Sequence, residues 1–445
     1  MVFLSIIRYS YFIHSLYKLN KCKNEENINI VNKNAQTCGP LAIKLLQLII
    51  MRNNNFVGLD FVLEDCFIHP FEETKKLYFK DFQKNIEEDY IIEKVVGSGS
   101  IGQVYKAYCK ETNEIIAIKV KHPCVNTNVR TMVYALWIIC FFLKPINKFH
   151  DIIMEYINNI YLQINYTQEA KNTIKLKSHF DDEDCIIVPE IKKYSENFIF
   201  MSYHEGNLFK DVSEQSQLVA SMYMNFFWMT SMVIHDFLHA DLHFGNWKVI
   251  ENKETGDVKL LVYDCGIICS TGCKQTNKEI IENTLNRRNF IKILDTIQRY
   301  NPKIRVNEHQ RSQLNSVIRF DVPSTECYTN FLNKLNDLRL IKDNNLILVL
   351  TSIAIIGETP SKSIAAITKY IYSQLESNTI LYHIYIGLLT KMNKFHKLRN
   401  YYINEINSNE NYIHDYKEWL FEEFGHRNPN ALNNIIYNKF FPSKD

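Results

Sequence analysis

Apolar and polar residues recur along this chain with several different spacings, and each change of spacing marks a new element. Residues 1–24 combine an apolar run (Val2–Ile7), the aromatics Tyr9, Tyr11 and Phe12, and the cations Arg8, Lys18, Lys21 and Lys23, with no acid. That pattern suits a presequence or interfacial anchor as well as the first helix of a fold. Residues 25–36 are polar and read as a linker or loop. Over 39–89 apolar residues recur at threes and fours, as at Leu41, Leu45, Leu48 and Ile49, which predicts helix. Residues 90–122 switch to branched, strand-like runs: Ile91-Ile92 and Val95-Val96, then Val104–Tyr108 and Ile115–Val120, arranged as hairpins around a glycine-rich turn.

Helix returns over 125–180. It includes the continuous apolar stretch Val133–Leu143, which is too short to span a bilayer. Ile186–Pro189 and Phe198–Tyr203 read as strands around the polar turn 195–197, and 212–238 as one long apolar helix. Trp247–Ile250 and Val258–Tyr263 form a hairpin across Glu254-Thr255-Gly256-Asp257. Beyond about 275 the pattern is mainly helical, with breaks near Pro302, Pro323, Pro360 and Pro429. The fold class is therefore α+β. Its expected parts are an N-terminal segment (1–36), a helical extension (37–89), a β-rich lobe with inserted helices (90–205) and a larger helical lobe (206–445).

Composition narrows the functions. With 445 residues and 46% hydrophobic content the chain can bury a large core, and a net charge of +2 demands no nucleic acid. Eleven cysteines without a repeated spacing fit a reducing, intracellular compartment better than a disulfide framework. Cys265, Cys269 and Cys273 could share a helical face, but structural zinc sites use paired knuckles, so ordinary thiols are the better reading.

Four short motifs carry chemistry. Gly97-Ser98-Gly99-Ser100-Ile101-Gly102-Gln103-Val104 follows a strand and leads into another, which suits a backbone folded over phosphates. Ala117-Ile118-Lys119 lies in the next strand, where a lysine can hold phosphates. In His239-Ala240-Asp241-Leu242-His243-Phe244-Gly245-Asn246, Asp241 and Asn246 keep the spacing of a kinase catalytic loop: an acid to position a nucleophile, an amide oxygen for a divalent cation. The two histidines could also suggest a transition-metal site, but no third ligand stands at useful spacing. Asp264-Cys265-Gly266 closes an apolar strand, with Asp264 as a metal ligand. Each motif alone has a plain structural explanation; their order makes coincidence a poor one. Glu169 reads either as an exposed helical acid or as a partner for Lys119.

Together these residues resemble the ABC1/UbiB (ADCK, AarF) family of atypical kinases. The segment 239–246 is similar to that family's HADPHPGN signature, Ile118–Pro123 to its VKVQHP, Gln168–Asn172 to its EAxN helix, and Gly39–Gln47 to its GPxxIKxGQ. The resemblance implies a two-lobed protein-kinase-like fold with an N-terminal helical extension. It implies Glu169 as the partner of Lys119, and Lys44 and Gln47 over the nucleotide. It implies ATP with Mg²⁺ or Mn²⁺ as cofactors, and Met201–Tyr203 as the hinge receiving adenine, through Met201 and Tyr203. Catalytic roles fall to Asp241, Lys119 and Glu169. Nucleotide contacts fall to Gly97, Ser98, Gly99, Ser100, Gly102, Val104, Ala117 and Lys119, and metal ligation to Asn246 and Asp264. It also implies ubiquinone-related metabolism, a lipid-like substrate, and a mitochondrial or membrane-associated location.

Three departures stand out. Leu46 replaces the glycine of KxGQ, Gly97–Ser100 replaces an alanine-rich loop, and Gln163-Ile164-Asn165 replaces ExD. Ala240 removes the arginine of ordinary kinases, and no Ala-Pro-Glu follows Asp264. A small-molecule kinase or ATPase is therefore expected, with a conventional Ser/Thr protein kinase and a non-hydrolysing pseudokinase scaffold as rivals.

Overall fold

The structure, a computed structural model, describes residues 2–22, 24–39, 42–43, 46, 68–123, 125–127, 129–131, 133–134, 160–213, 216–217, 220, 223–224, 227–228, 230–252, 257–285, 290–318, 324–338, 340–341 and 343–358. They divide into two compact units. The first takes the described residues of 1–174, 189–204 and 264–267; the second takes those of 175–188, 205–263 and from 268 onward. The helical expectation at Leu41, Leu45, Leu48 and Ile49, and nearly all of Val133–Leu143, lie outside the described residues.

In the first unit, residues 2–21 form helix α1 (Val2–Lys21), which buries Tyr9, Phe12 and Leu19. The segment 25–36 is not a loop but most of helix α2 (Glu25–Cys38). Local signals explain the difference. Asn24 caps it by accepting from the Asn27 N–H at 2.8 Å, and Glu25 and Glu26 sit in its first turn. Val31 and Ala35, four apart, bury against α1, and Gly39 ends the helix at φ +95°. The same core takes in Leu46, Val129, Ile160 and Ile164.

The unit's sheet runs β1 (Tyr90–Ser98), β2 (Gly102–Cys109), β3 (Ile115–Lys121), β6 (Phe198–Ser202), β5 (Ile191–Tyr194), antiparallel throughout. Period two separates its faces. Tyr105, Ala107, Ile116, Ile118, Val120, Phe198 and Phe200 form one core with Tyr78 and Phe82 of helix α3 (Phe71–Phe82), followed by the short α4 (Ile86–Asp89). Deleting a ring such as Phe200 from that core is worth about 3–5 kcal/mol. The opposite face carries Val104, Ala117, Lys119 and Met201. Helix α5 (Tyr166–Phe180) packs there through Tyr166 and Ala170 against Ile199.

The two strands expected at Ile186–Pro189 and Phe198–Tyr203 belong to different sheets. β4 (Ile186–Ile187) runs parallel to β9 (Val258–Val262) in the second unit, and β6 pairs with β5 across the turn at 195–197. β5 escaped the pattern because it is an exposed edge strand carrying Lys192 and Lys193, a common way to guard an unpaired edge.

In the second unit, β8 (Trp247–Glu251) and β9 form the expected hairpin, joined by β4, and β7 (Leu238–His239) pairs with β10 (Ile268–Cys269). The expected helix over 212–238 ends early: Thr230–Ile234 is a π-helical turn, and Asp236 adopts φ +47° before β7 starts. The helices α6 (Lys274–Leu285), α7 (Phe290–Tyr300), α8 (Glu308–Asn315), α9 (Ser324–Asp337) and α10 (Asn344–Glu358) follow. α7 buries Phe290, Ile293, Leu294 and Ile297, spaced as one helical stripe.

Candidate active site

Lys119 stands on the α5-facing side of β3, opposite Val104, which is in turn opposite Gly97; Ala117 stands opposite Met201 on β6. Strand register alone thus gathers five of the expected nucleotide-contacting residues on neighbouring strands. Gly97 and Ser98 end β1, Gly99 and Ser100 make the turn, and Gly102 opens β2. A β-carbon at Gly97 would meet nothing, whereas one at Gly102 would collide with the Val120 carbonyl and the Tyr166 hydroxyl. Tyr203 lies just past β6, with the Lys106 ammonium over its ring at 5.3 Å. Lys44 and Gln47 lie outside the described residues.

The Lys119 Nζ is 2.7 Å from Glu169 Oε1 and 3.2 Å from Asp264 Oδ1. Glu169 is buried rather than exposed, at 3% accessibility, so the pairing reading of that residue is the correct one. Burial works against the Lys119 charge, but Asp264 and Glu169 more than offset it, and the ammonium is held well above the ordinary lysine range. Burial pushes the Glu169 carboxyl up to about 7 against the pull of Lys119, with Asp264 adding to the rise. One cation faces two carboxylates, so the cluster carries excess negative charge.

Helix α5 sets this geometry. Asn165 caps it, accepting from the Gln168 N–H at 3.1 Å, and Glu169 follows one turn later. Asn172, a further turn along, donates to the Cys265 carbonyl at 2.9 Å and accepts from Gln168 at 2.9 Å. Asp264 itself sits at φ +61°, a left-handed conformation that side-chain-bearing residues adopt rarely. Burial pushes the Cys265 thiol up to about 12, leaving it inert.

Beneath the glycine turn runs a buried polar chain that sequence reasoning missed. Its direction follows from its end, because the Gly99 carbonyl can only accept. His122 Nε2–H donates to it at 2.9 Å, so His122 Nδ1 accepts from His69 Nδ1–H at 2.8 Å. His69 Nε2 then accepts from Thr74 Oγ1 at 2.9 Å, Thr74 from the Tyr105 hydroxyl at 2.9 Å, and Tyr105 from Gln103 Nε2. The chain needs both imidazoles neutral. Burial lowers both, His69 to about 4 with His122 adding to the fall. The only trace in the sequence is one histidine in each of two distant segments.

The second unit holds the other expected pair. The Asn246 side-chain amide donates to the Asp241 carbonyl at 2.8 Å and to its carboxylate at 3.4 Å. His239 Nε2–H donates to the Tyr263 carbonyl at 3.1 Å, leaving Nδ1 to accept from the Asp241 N–H at 3.2 Å. His239 is thereby a neutral strut for the loop. His243 Nε2 lies 3.7 Å from Asp241 Oδ2.

The donor set fits a hard divalent cation. Among the described residues no group of three or more His, Cys, Asp or Glu gathers to hold a metal by itself. Mg²⁺ commonly binds through one or two carboxylates completed by phosphate oxygens and water. Asp264 is 38% accessible, and the buried Glu169 Oε2 has no hydrogen-bond partner among the described residues.

A family model described as the ABC1 atypical kinase-like domain matches residues 62–289, half of the chain. The chain belongs to the ABC1 atypical kinase-like family. Its α+β architecture is accordingly a protein-kinase-like one. The chain is 28% identical over 270 residues to a "Probable protein kinase UbiB" of Blochmanniella pennsylvanica, covering 54% of this chain and 47% of that protein. It is 26% identical over 263 residues to "AarF domain-containing kinase 1" of Drosophila melanogaster, covering 51% and 49%. The chain thus spans about half the length of the curated ABC1 relatives it matches. A solved Rv3197–erythromycin complex from Mycobacterium tuberculosis aligns with 65% of this chain and 82% of that one, at 16% identity and a TM-score of 0.42.

Proposed function

We propose that this ABC1-family chain binds ATP with Mg²⁺ or Mn²⁺ and transfers or hydrolyses the terminal phosphoryl group. The observation that carries the reading is Lys119 ion-paired to both Glu169 and Asp264 on the sheet face beside the glycine turn. In this reading the turn Gly97–Gly102 covers the phosphates, Lys119 contacts them, and Glu169 keeps the ammonium extended. Met201 and Tyr203 border the adenine. Lys44 and Gln47 belong to the extension over the nucleotide. Asp264 and Asn246 hold the cation, and Asp241 accepts the proton of the attacking hydroxyl or water. When bound, the cation neutralises charge on the phosphoryl oxygens.

The acceptor is a small or lipid-like molecule in isoprenoid-quinone (ubiquinone) metabolism, and the place of action a membrane surface, mitochondrial in a eukaryotic cell. The family resemblance and the name UbiB of one relative support this. Among the described residues no helix is long and apolar enough to cross a membrane.

Metal-dependent ATP turnover is the test. Wild type should hydrolyse ATP with Mg²⁺ or Mn²⁺, and Lys119→Ala and Asp264→Asn should each lose at least about 100-fold, equivalent to about 2.7 kcal/mol of transition-state stabilisation. No wild-type turnover with either ion removes the enzyme reading. The pseudokinase alternative has its own support. Gln163 is buried beside Gly266, and Asn165 serves as a helix cap, so neither position supplies a carboxylate. ATP binding without turnover is the outcome it expects.

A further inference from the structure

The first unit contains a cavity of about 310 Å³ that none of the proposed nucleotide, metal or catalytic residues lines. Its walls come from the end of β3, the chain after it, the start of α5 and the turn between β5 and β6. They include Lys121, Arg130, Tyr161, Asn165, Tyr166 and Glu196. The volume lies in the range of small-ligand sites and exceeds what a bare oxyanion needs.

Lys121 decides the character of this cavity. The residue is 3% accessible overall and lines the cavity, and among the described residues no carboxylate pairs with its ammonium. Its contact is the Tyr166 ring, at 5.0 Å. A buried cation in that state is costly unless an anion joins it. Glu196, Asp81 and Glu169 act on it from a distance only, with Lys80 opposing them, and burial outweighs their help, lowering the lysine's affinity for its proton. Glu196, the one acid on the wall, is engaged by the Asn126 side chain at 3.2 Å. Arg130 supplies a second, solvent-facing cation, and Asn165 and Thr167 at the start of α5 add polar groups to the wall. Tyr161, Tyr166 and Ile164 give the remaining wall a flat, apolar lining.

We infer that this cavity is an anion site that takes the phosphate monoester group of a small molecule or lipid headgroup, with Lys121 as its buried counter-charge and Arg130 at its mouth. The Tyr166 ring is shared with Lys119, whose ammonium lies 5.3 Å from it, so occupancy would be felt at the helix turn that presents Glu169.

Phenyl phosphate, titrated calorimetrically into the full chain, tests the site. Wild type should bind it saturably, whereas Lys121→Met should bind at least tenfold more weakly, and Arg130→Gln at least threefold. Binding intact in Lys121→Met would put the phosphate elsewhere and overturn the inference, as would absence of saturable binding to wild type. Should circular dichroism show Lys121→Met misfolded, Arg130→Gln decides, because its side chain is exposed; unchanged affinity there sinks the site. Phosphatidylcholine vesicles with and without phosphatidic acid separate the two sources. Lys121-dependent sedimentation with phosphatidic acid assigns a lipid, and Lys121-dependent binding of phenyl phosphate alone assigns a soluble ester. Vesicle binding that ignores Lys121 counts against the site.

Discussion

The Asn172 side-chain amide holds the Cys265 main-chain carbonyl at 2.9 Å, one helical turn from the point where Glu169 meets Lys119. A single stretch of α5 therefore fixes both the lysine and the turn that follows Asp264. Replacing Asn172 with Ala leaves a buried carbonyl unpaired, and the expected cost is about 1–3 kcal/mol in denaturant unfolding. ATP turnover should fall with it, because Asp264 loses its tether. Unchanged stability in Asn172→Ala would mean the hydrogen bond contributes nothing.

Lys119 and Glu169 form a buried pair, so removing the lysine strands Glu169, whereas removing Glu169 leaves the lysine with Asp264. Lys119→Met is expected to lose about 3–5 kcal/mol and Glu169→Leu less, with the two losses not adding in the double variant. Chemical denaturation of the four proteins measures the coupling, and additive losses would refute a buried ion pair.

The two conformational demands on the glycine turn separate in the same assay. Gly102→Ala drives a β-carbon into the Val120 carbonyl and the Tyr166 hydroxyl, and should lose about 1–3 kcal/mol. Gly97→Ala meets open space and should stay within about 0.5 kcal/mol of wild type. Its effect belongs in the KM for ATP instead.

The histidine chain gives a signed pH dependence. His69 is held down to about 4 against an ordinary value of 6.5, so between those values the unfolded chain binds more protons than the folded one. Its stabilisation is fully present above pH 6.5 and is lost as pH falls toward 4, by up to about 3 kcal/mol. Glu169, raised to about 7 from 4.5, works in the opposite sense: the folded chain binds the extra proton, and stability rises as pH falls through that window. Comparing wild type with His69→Gln at each pH cancels the Glu169 contribution. The difference between the two proteins should shrink from pH 7 to pH 4; a constant difference would rule out a neutral histidine pair.

Asp236 organises part of the second unit. At φ +47° it accepts from the Ser270 hydroxyl at 2.6 Å, the N–H groups of Thr271 and Gly272 at 3.0 and 2.8 Å, and the Asn277 amide at 2.7 Å. Asp236→Ala orphans these donors together and should lower stability by about 3 kcal/mol or more. A loss below about 1 kcal/mol in thermal unfolding would show that water replaces them readily.

What the sequence made legible follows from which signals are local. The strands bearing Gly97, Lys119 and Met201 announce themselves through runs of branched residues, and their register then follows from alternation. The partnership of Lys119 with Glu169 needed the family resemblance, because nothing local distinguishes a buried helical glutamate from an exposed one. Helix α2 is hard to read from sequence because its buried stripe is only Ile28, Val31 and Ala35 among polar neighbours, and a single cap at Asn24 is a weak start signal. β5 was hidden by its lysines. The Asp236 hub and the His69–His122 contact were illegible for a different reason: each joins segments far apart in sequence, and single polar residues carry no periodicity to betray them.

The core shared by α1 and α2 extends to Ile160 and Ile164, the residues that deliver the chain into α5. A disturbance of the first two helices, whether a binding partner prising them away or a protease nicking between them, would therefore slacken the footing on which Glu169 stands. The amino-terminal hairpin is placed to act as a throttle on the lysine, even though it supplies no atom to the reaction.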